Sequence, residues 1–346
     1  VFVLKLDSSG GFMWVKTLGG TSEEWPSGFA VDSSNNIYTT GYTVGTADLD
    51  PGAGTTTVTA LSGSRNVFIS KLNSDGNFVW GKSLLSTSYI ESHAISTDNL
   101  GNVYTAGYFS GVTDFDPGVG TYNLTPTGAR STFISKLDAN GDFVWAKSLE
   151  SINSITGRSI DVDSEQNVFT GGYFASSTDF DPGVSTYTLD ATSINDMFIS
   201  KLNSSGNFVW AKAIGGNGSD LSYGINVDSN DAVHVSGYFS GTADFDTGAG
   251  TTSLTAIGTN DAFIMKIEND LINPVISTSA SIGTTEDTTP DFTFSSTKAG
   301  IATYGGSCSS ATTAVTSGPN TITFNTLGVG AYTDCTILVT DASGNT

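Results

Sequence analysis

The sequence predicts an all-β protein made of one repeated module followed by a second, smaller β domain, and three observations carry that prediction. The first is a stretch that returns almost unchanged: Phe68 to Lys82 reappears as Phe133 to Lys147 and Phe198 to Lys212, more loosely as Phe2 to Lys16, and cut short as Phe263 to Ile267. Its first lysine falls at Lys5, Lys71, Lys136, Lys201 and Lys266, giving periods of 66, 65, 65 and 65 residues, the regularity of stacked or ring-arranged modules. The second observation is alternation of apolar with small or polar residues, with hardly a window of helical 3.6-residue periodicity. The third is that the repetition stops beyond Glu268 while short alternating runs continue.

Each period holds four runs with strand character. In the second period Ala94 to Asp98 is followed by the turn residues Asn99 to Asn102 and then by Val103 to Phe109, a hairpin pattern. After an insertion come Phe133 to Leu137 and Phe143 to Leu149, joined by Asp138-Ala-Asn-Gly-Asp142, whose glycine supplies the positive φ of a hairpin bulge. Four antiparallel strands per repeated unit describe the blade of a β-propeller. The succession of a Val-Asp-Ser strand, a Gly-Asn-Val-Tyr-Thr-Gly-Tyr strand, Phe-Ile-Ser-Lys-Leu and Asp-Gly-Asn-Phe-Val-Trp-Ala-Lys resembles the SBBP family of bacterial β-propeller repeats. The resemblance covers about residues 1–267. It implies a propeller and no enzymatic activity, and its variant with a Thr-Asp-Phe-Asp-Pro-Gly insertion is associated with large secreted bacterial proteins.

The strand count leaves a remainder. There are five strands of the Phe-Ile-Ser-Lys-Leu type but four of each other type, so the chain opens on the third strand of a blade and leaves the repeat after the third strand of another. Either residues upstream of Val1 complete the first blade, or a strand pairs elsewhere. The expected division is a propeller over 1–271 and a β-sandwich over 272–346. Asn273 to Ile276 reads as a linker entering the second domain, and Thr289 to Phe294, Ile301 to Tyr304, Thr321 to Phe324 and Cys335 to Thr340 read as its strands. The segment Tyr332 to Asn345 resembles the last strand of bacterial immunoglobulin-like domains. Cys308 and Cys335 both lie in this tail; two thiols in one small β domain suit a disulfide and an oxidising compartment, and a buried free pair is the alternative.

Composition narrows the function. With 34 Asp and Glu against 13 Lys and Arg the net charge is −21, the opposite of what phosphate neutralisation requires, so a nucleic-acid partner is excluded. No run of 18 apolar residues suggests a membrane span, and Val1 already lies inside a repeat copy, so the native start is expected upstream.

Repetition sorts the candidate residues, because a catalytic site is needed once and a structural device in every module. Trp14, Trp80, Trp145 and Trp210 hold one slot; each reads as a wedge between blades, with Phe78, Phe143 and Phe208 nearby, or as a sugar-stacking platform. Lys71, Lys136 and Lys201, with Lys5 and Lys266, hold a second slot, and Lys16, Lys82, Lys147 and Lys212 a third. Ordered lysines in so acidic a chain read as partners of ordered aspartates, with ligand binding as the alternative. The insertion brings carboxylates two apart on a glycine-bearing turn: Asp48 and Asp50, Asp114 and Asp116, Asp179 and Asp181, Asp244 and Asp246. They offer oxygens to calcium, or cap a turn in which the intervening apolar residue is buried. Asp32, Asp98, Asp163 and Asp228 read as turn caps. His93 and His234 belong to different strand types, so neither zinc nor a Cys-His or Ser-His-Asp site is supported.

The expectation is therefore an extracellular or cell-surface module of bacterial origin, structural or adhesive and without catalytic activity. Its partners would be further copies arranged head to tail, or other surface proteins and glycans. The rivals are a propeller lectin, which needs exposed aromatics, and a glycosidase or lyase, which needs one face lined by residues that break the repeat; no clustered acid pair stands out.

Overall fold

The computed structural model describes residues 1–61, 63–248, 250–267, 274–278 and 286–341, and every regular element among them is a β-strand. The chain divides into two compact units, the first comprising Val1–Asp246 with Thr251–Ile267. The expected boundary between 271 and 272 lies outside the described residues, as do Glu268, Asn273 and residues 342–346.

The first unit is a succession of antiparallel sheets, one per period. Three are complete: Glu24–Val31, Ile37–Thr43, Asn66–Leu72 and Phe78–Ser86; Ile90–Thr97, Val103–Phe109, Ser131–Leu137 and Phe143–Ser151; and Ser154–Val162, Val168–Ala175, Asp196–Leu202 and Phe208–Gly216. Within each, the strands pair in chain order. The chain begins on a pair, Phe2–Leu6 with Phe12–Thr17, corresponding to the third and fourth strands. Its fifth sheet has three strands, Leu221–Val227, Val233–Phe239 and Asp261–Ile267.

The cores lie between successive sheets, not within one. Tyr38, Ile69 and Trp80 of the first complete sheet share a cluster with Ile95, Val103 and Phe133 of the next, and Tyr104, Ile134 and Trp145 of that sheet share one with Ile160, Val168 and Phe198 of the third. Middle strands are therefore covered on both faces: every residue of Asn66–Leu72, Ser131–Leu137 and Asp196–Leu202 is buried. Their near-continuous run of apolar and small side chains suits that double coverage.

One feature departs from four strands per module. The insertion forms a short hairpin, and that hairpin pairs with the fourth strand of the preceding module. Thr113–Asp114 joins Phe78–Ser86 through Thr113 opposite Ser86 and Asp114 opposite Leu85. Ser177–Asp179 joins Phe143–Ser151 and Thr242–Asp244 joins Phe208–Gly216 in the same way. Thr46–Asp48 pairs with Gly19–Gly20, just after Phe12–Thr17. Each complete sheet is thus six-stranded, with its last two strands taken from the next repeat.

A bulge marks the first strand of each module. The register shifts between Pro26 and Gly28, Ser92 and Ala94, Gly157 and Ser159, and Ser222 and Gly224, leaving Ser27, His93, Arg158 and Tyr223 as the extra residues. The backbone presses closely here: a Cβ on Gly107 would lie 1.9 Å from the Glu91 carbonyl oxygen, and one on Gly172 would lie 2.1 Å from that of Thr156. Glycine is required opposite the bulge, which explains why it precedes the repeated tyrosine.

The second unit contains two three-stranded antiparallel sheets. One is Ile276–Thr278, Asp291–Ser296 and Gly318–Thr323; the other is Ala314–Val315, Gly300–Gly305 and Thr336–Thr340. Phe294 and Ile322 of the first share a core with Ala302, Val315 and Val339 of the second. A disulfide joins Cys308 to Cys335, stapling the chain just beyond Gly305 opposite Thr336.

Candidate functional site

Most of the repeated polar residues meet at the junction of one module with the next. Trp80 Nε1 and Lys71 Nζ both donate to the Ala139 carbonyl, each at 3.1 Å. Ala139 lies in the turn between the third and fourth strands of the following module. Trp145 Nε1 and Lys136 Nζ converge likewise on the Ser204 carbonyl, at 3.2 and 3.4 Å, and Lys5 Nζ donates to that of Ser74 at 2.7 Å. The turn glycine fits against the indole: Gly141 has φ +80° and a Cβ there would lie 3.0 Å from Trp80, with Gly206 and Trp145 repeating the contact. A left-handed backbone and an indole in contact both demand glycine.

Trp80, Trp145 and Trp210 are inside, at 9%, 9% and 8% exposed, and present no stacking platform to a sugar, whereas Trp14 of the same slot is half-buried and Trp25, outside the slot, is 60% exposed. The phenylalanines accompany them one module out of step: Phe143 packs in the cluster of Trp80 and Phe208 in that of Trp145, because a bulge intervenes between Phe78 and Trp80 and its counterparts.

The lysines differ in part from the expected ion pairs. Lys201 lies 3.6 Å from Asp163 and Lys82 lies 3.4 Å from Asp142, but Lys71 and Lys136 reach a carbonyl. Burial pushes the ammonium pKa of Lys71, Lys136 and Lys201 down, and each ammonium lies over an aromatic ring, that of Tyr38, Tyr104 or Phe169. The neighbouring aspartates do more than cap a turn. Asp98 Oδ1 accepts from the Leu100 and Asn102 amides while Oδ2 accepts from Asn102 Nδ2 and the Tyr104 hydroxyl. His234 stands in that tyrosine's place in the fifth sheet, and its bond to Asp228 holds the carboxyl low, at about 2.

The inserted aspartates organise their own loop. Asp114 Oδ1 accepts from the amides of Asp116 and Tyr122, and Asp116 Oδ1 from that of Gly118. Asp48 with Asp50, and Asp179 with Asp181, repeat the pattern, and Asp244 accepts from Asp246 and Thr252. Leu49, Phe115 and Phe180 between them are fully buried. As built, each loop offers a cation two carboxylates, fewer oxygens than the six to eight calcium takes. Among the described residues no three or more His, Cys, Asp or Glu side chains gather as metal ligands.

The bulges and the repeated tyrosines build a second constellation, made of residues that differ from module to module. Arg65 pairs with Glu91 and lies over the rings of Tyr42, at 4.4 Å, and Tyr89. Despite partial burial, His93, Tyr108 and Arg65 around it hold the Glu91 carboxyl down at about 2, and burial lifts the Tyr108 phenol to about 12. Arg130 lies over Tyr108 at 4.5 Å, and His93 tilts against the same ring at 5.5 Å. His93 Nδ1 bonds the Gly157 carbonyl at 2.8 Å, and the next residue, Arg158, sits by Tyr173 and Tyr223, at 5.6 and 5.5 Å. Tyr223 in turn packs on Tyr238. All three arginines of the chain lie in this band. Sequence reasoning missed it, although the signal was present: no arginine occupies a repeated lysine slot.

A buried acid pair also escaped the sequence. Asp196 and Asp220 are 2% and 0% exposed, and Asp220 Oδ2 has no hydrogen-bond partner. Burial, reinforced by the Asp196 charge, raises the Asp220 pKa to about 6.

Repeated antiparallel sheets, each fastened to the next through one recurring turn, define a β-propeller repeat protein. Residues 14–48 match the family described as SBBP, Beta-propeller repeat. Over 220 residues the chain is 26% identical to an uncharacterized WD repeat-containing protein of Acanthamoeba polyphaga mimivirus. That match covers 55% of this chain and 15% of the relative, so the chain spans a small part of the relative's length.

Proposed function

We propose that the chain is a non-catalytic structural and adhesive module of an extracellular or cell-surface protein, a propeller followed by an immunoglobulin-like β-sandwich. The observation that carries this reading is the use of the repeated Trp, Lys, Gly and Asp residues: they join one module to the next and hold the inserted hairpins, which makes a rigid scaffold. The disulfide supports an oxidising compartment, and two sheets sharing one core support the sandwich. Protease treatment of intact cells, followed by detection of the chain, tests the compartment. Degradation before lysis is expected, and protection until lysis would overturn the reading.

Head-to-tail self-association belongs to the same proposal. Among the described residues Asp261–Ile267 pairs on one side only, an edge of the kind that accepts another strand, and Ile264, 84% exposed, shows that its face is uncovered as well. Sedimentation over a range of concentrations tests it, a single concentration-independent species being the contrary result. Against a glycosidase stands the burial of Asp196 and Asp220, which keeps substrate from the acid pair.

A further inference from the structure

Nine of the chain's thirteen basic residues are lysines in the two repeated slots, Lys298 lies 3.2 Å from Asp341, and Arg65 is taken by Glu91. Arg130 and Arg158 remain, and among the described residues neither has a carboxylate within 4 Å. In a chain of net charge −21 two guanidinium groups without acidic partners are unexpected, and internal hydrogen bonding does not account for them. Arg158 Nε is buried with no acceptor, and its Nη2 makes one long contact, 3.4 Å, to the Tyr173 hydroxyl. Both are held instead by aromatic rings, Arg130 by Tyr108 and Arg158 by Tyr173 and Tyr223, and His93 links the two places by touching Tyr108 and bonding the backbone beside Arg158. Arg158 and Tyr223 are both bulge residues, at positions that re-aim a side chain.

We propose that Arg130 and Arg158 form a binding site for a carboxylate-bearing saccharide of the uronate type. The planar guanidinium donates two parallel hydrogen bonds to a carboxylate, at Arg158 from its terminal nitrogens, because Nε is buried. The phenol rings beside it, with Tyr223 48% exposed, offer an amphipathic flat surface to the sugar ring. A long polyanion is repelled by the net charge of the protein, whereas a short acidic sugar matches two isolated cations flanked by tyrosines. The site holds whether or not the module is adhesive.

Titration calorimetry of the full chain with digalacturonate at low salt tests the proposal, with maltose and an acidic dipeptide as comparators. Digalacturonate is expected to bind at least about tenfold more tightly than either comparator, and to weaken as salt rises to ~0.5 M. Arg130→Ala and Arg158→Lys are each expected to lower its affinity about tenfold or more. Arg158→Lys keeps the charge and removes the fork, and Tyr223→Ala, at an exposed ring, tests the stacking surface without disturbing the core. Absence of binding, equal affinity in folded variants, or tighter binding of the dipeptide would overturn the assignment.

Discussion

Ser131–Leu137 and Asp261–Ile267 are two copies of one strand in two surroundings. Ile134 is fully buried and its counterpart Ile264 is 84% exposed. The third strand of a complete module has sheets on both faces and partners along both edges; among the described residues Asp261–Ile267 has one edge partner, Val233–Phe239. The difference shows that burial here comes from the neighbours and not from the repeat itself, the behaviour of architectures in which no single repeat hides its own apolar surface.

The sharpest way to break that comparison is at the junction. Trp145→Ala removes an indole from the space between two modules together with its bond to Ser204, and is expected to cost about 3–5 kcal/mol. A chemical melt matching the parent would place the indole outside the stability-determining core. Next comes the isoleucine pair: Ile134→Ala is expected to cost about 2–5 kcal/mol, and Ile264→Ala less than about 0.5 kcal/mol. Equal losses would show that the terminal strand is covered in solution. In the second unit, reduction of the disulfide, which closes a separation of 27 residues, is expected to lower stability by roughly 3 kcal/mol. Intact mass before and after alkylation reports the bond, and the junctions of the first unit should melt unchanged.

Asp220 offers a pH test of smaller size. Its folded pKa, about 6, is above its ordinary value of 3.8, so the native state holds the proton more tightly than the unfolded chain. This contribution favours the fold at low pH and is lost as pH rises from about 4 to about 6. Asp220→Asn is expected to remove that slope and to stabilise the protein at neutral pH; an unchanged slope would assign the acidity elsewhere. The smallest expected effect is that of a chelator. The inserted aspartates are already acceptors of their own loop amides, so the melting temperature is expected to stay constant; a fall restored by millimolar calcium would show that the loops take the ion.

The architecture was legible because a 65-residue period and strand alternation are local signals, and the third strands and the Trp slot follow directly from them. The partner of the inserted hairpin was not, because Asp114 opposite Leu85 is a pairing between different repeats. Lysine was read through net charge, yet at Lys71 a neighbouring carbonyl lies closer than any carboxylate among the described residues. The arginine and tyrosine band was hidden for the opposite reason: its members hold equivalent positions of successive repeats but change residue type from one to the next, and only the bulges turn His93, Arg158 and Tyr223 into neighbours.

The borrowed hairpins set where this chain divides. Each complete sheet draws on two periods, so a segment cut at the 65-residue repeat carries a hairpin without its strand at one end and a strand without its hairpin at the other. The sequence period and the sheet are out of phase, and the unit that can be excised, shuffled or transplanted intact is longer than the unit that recurs.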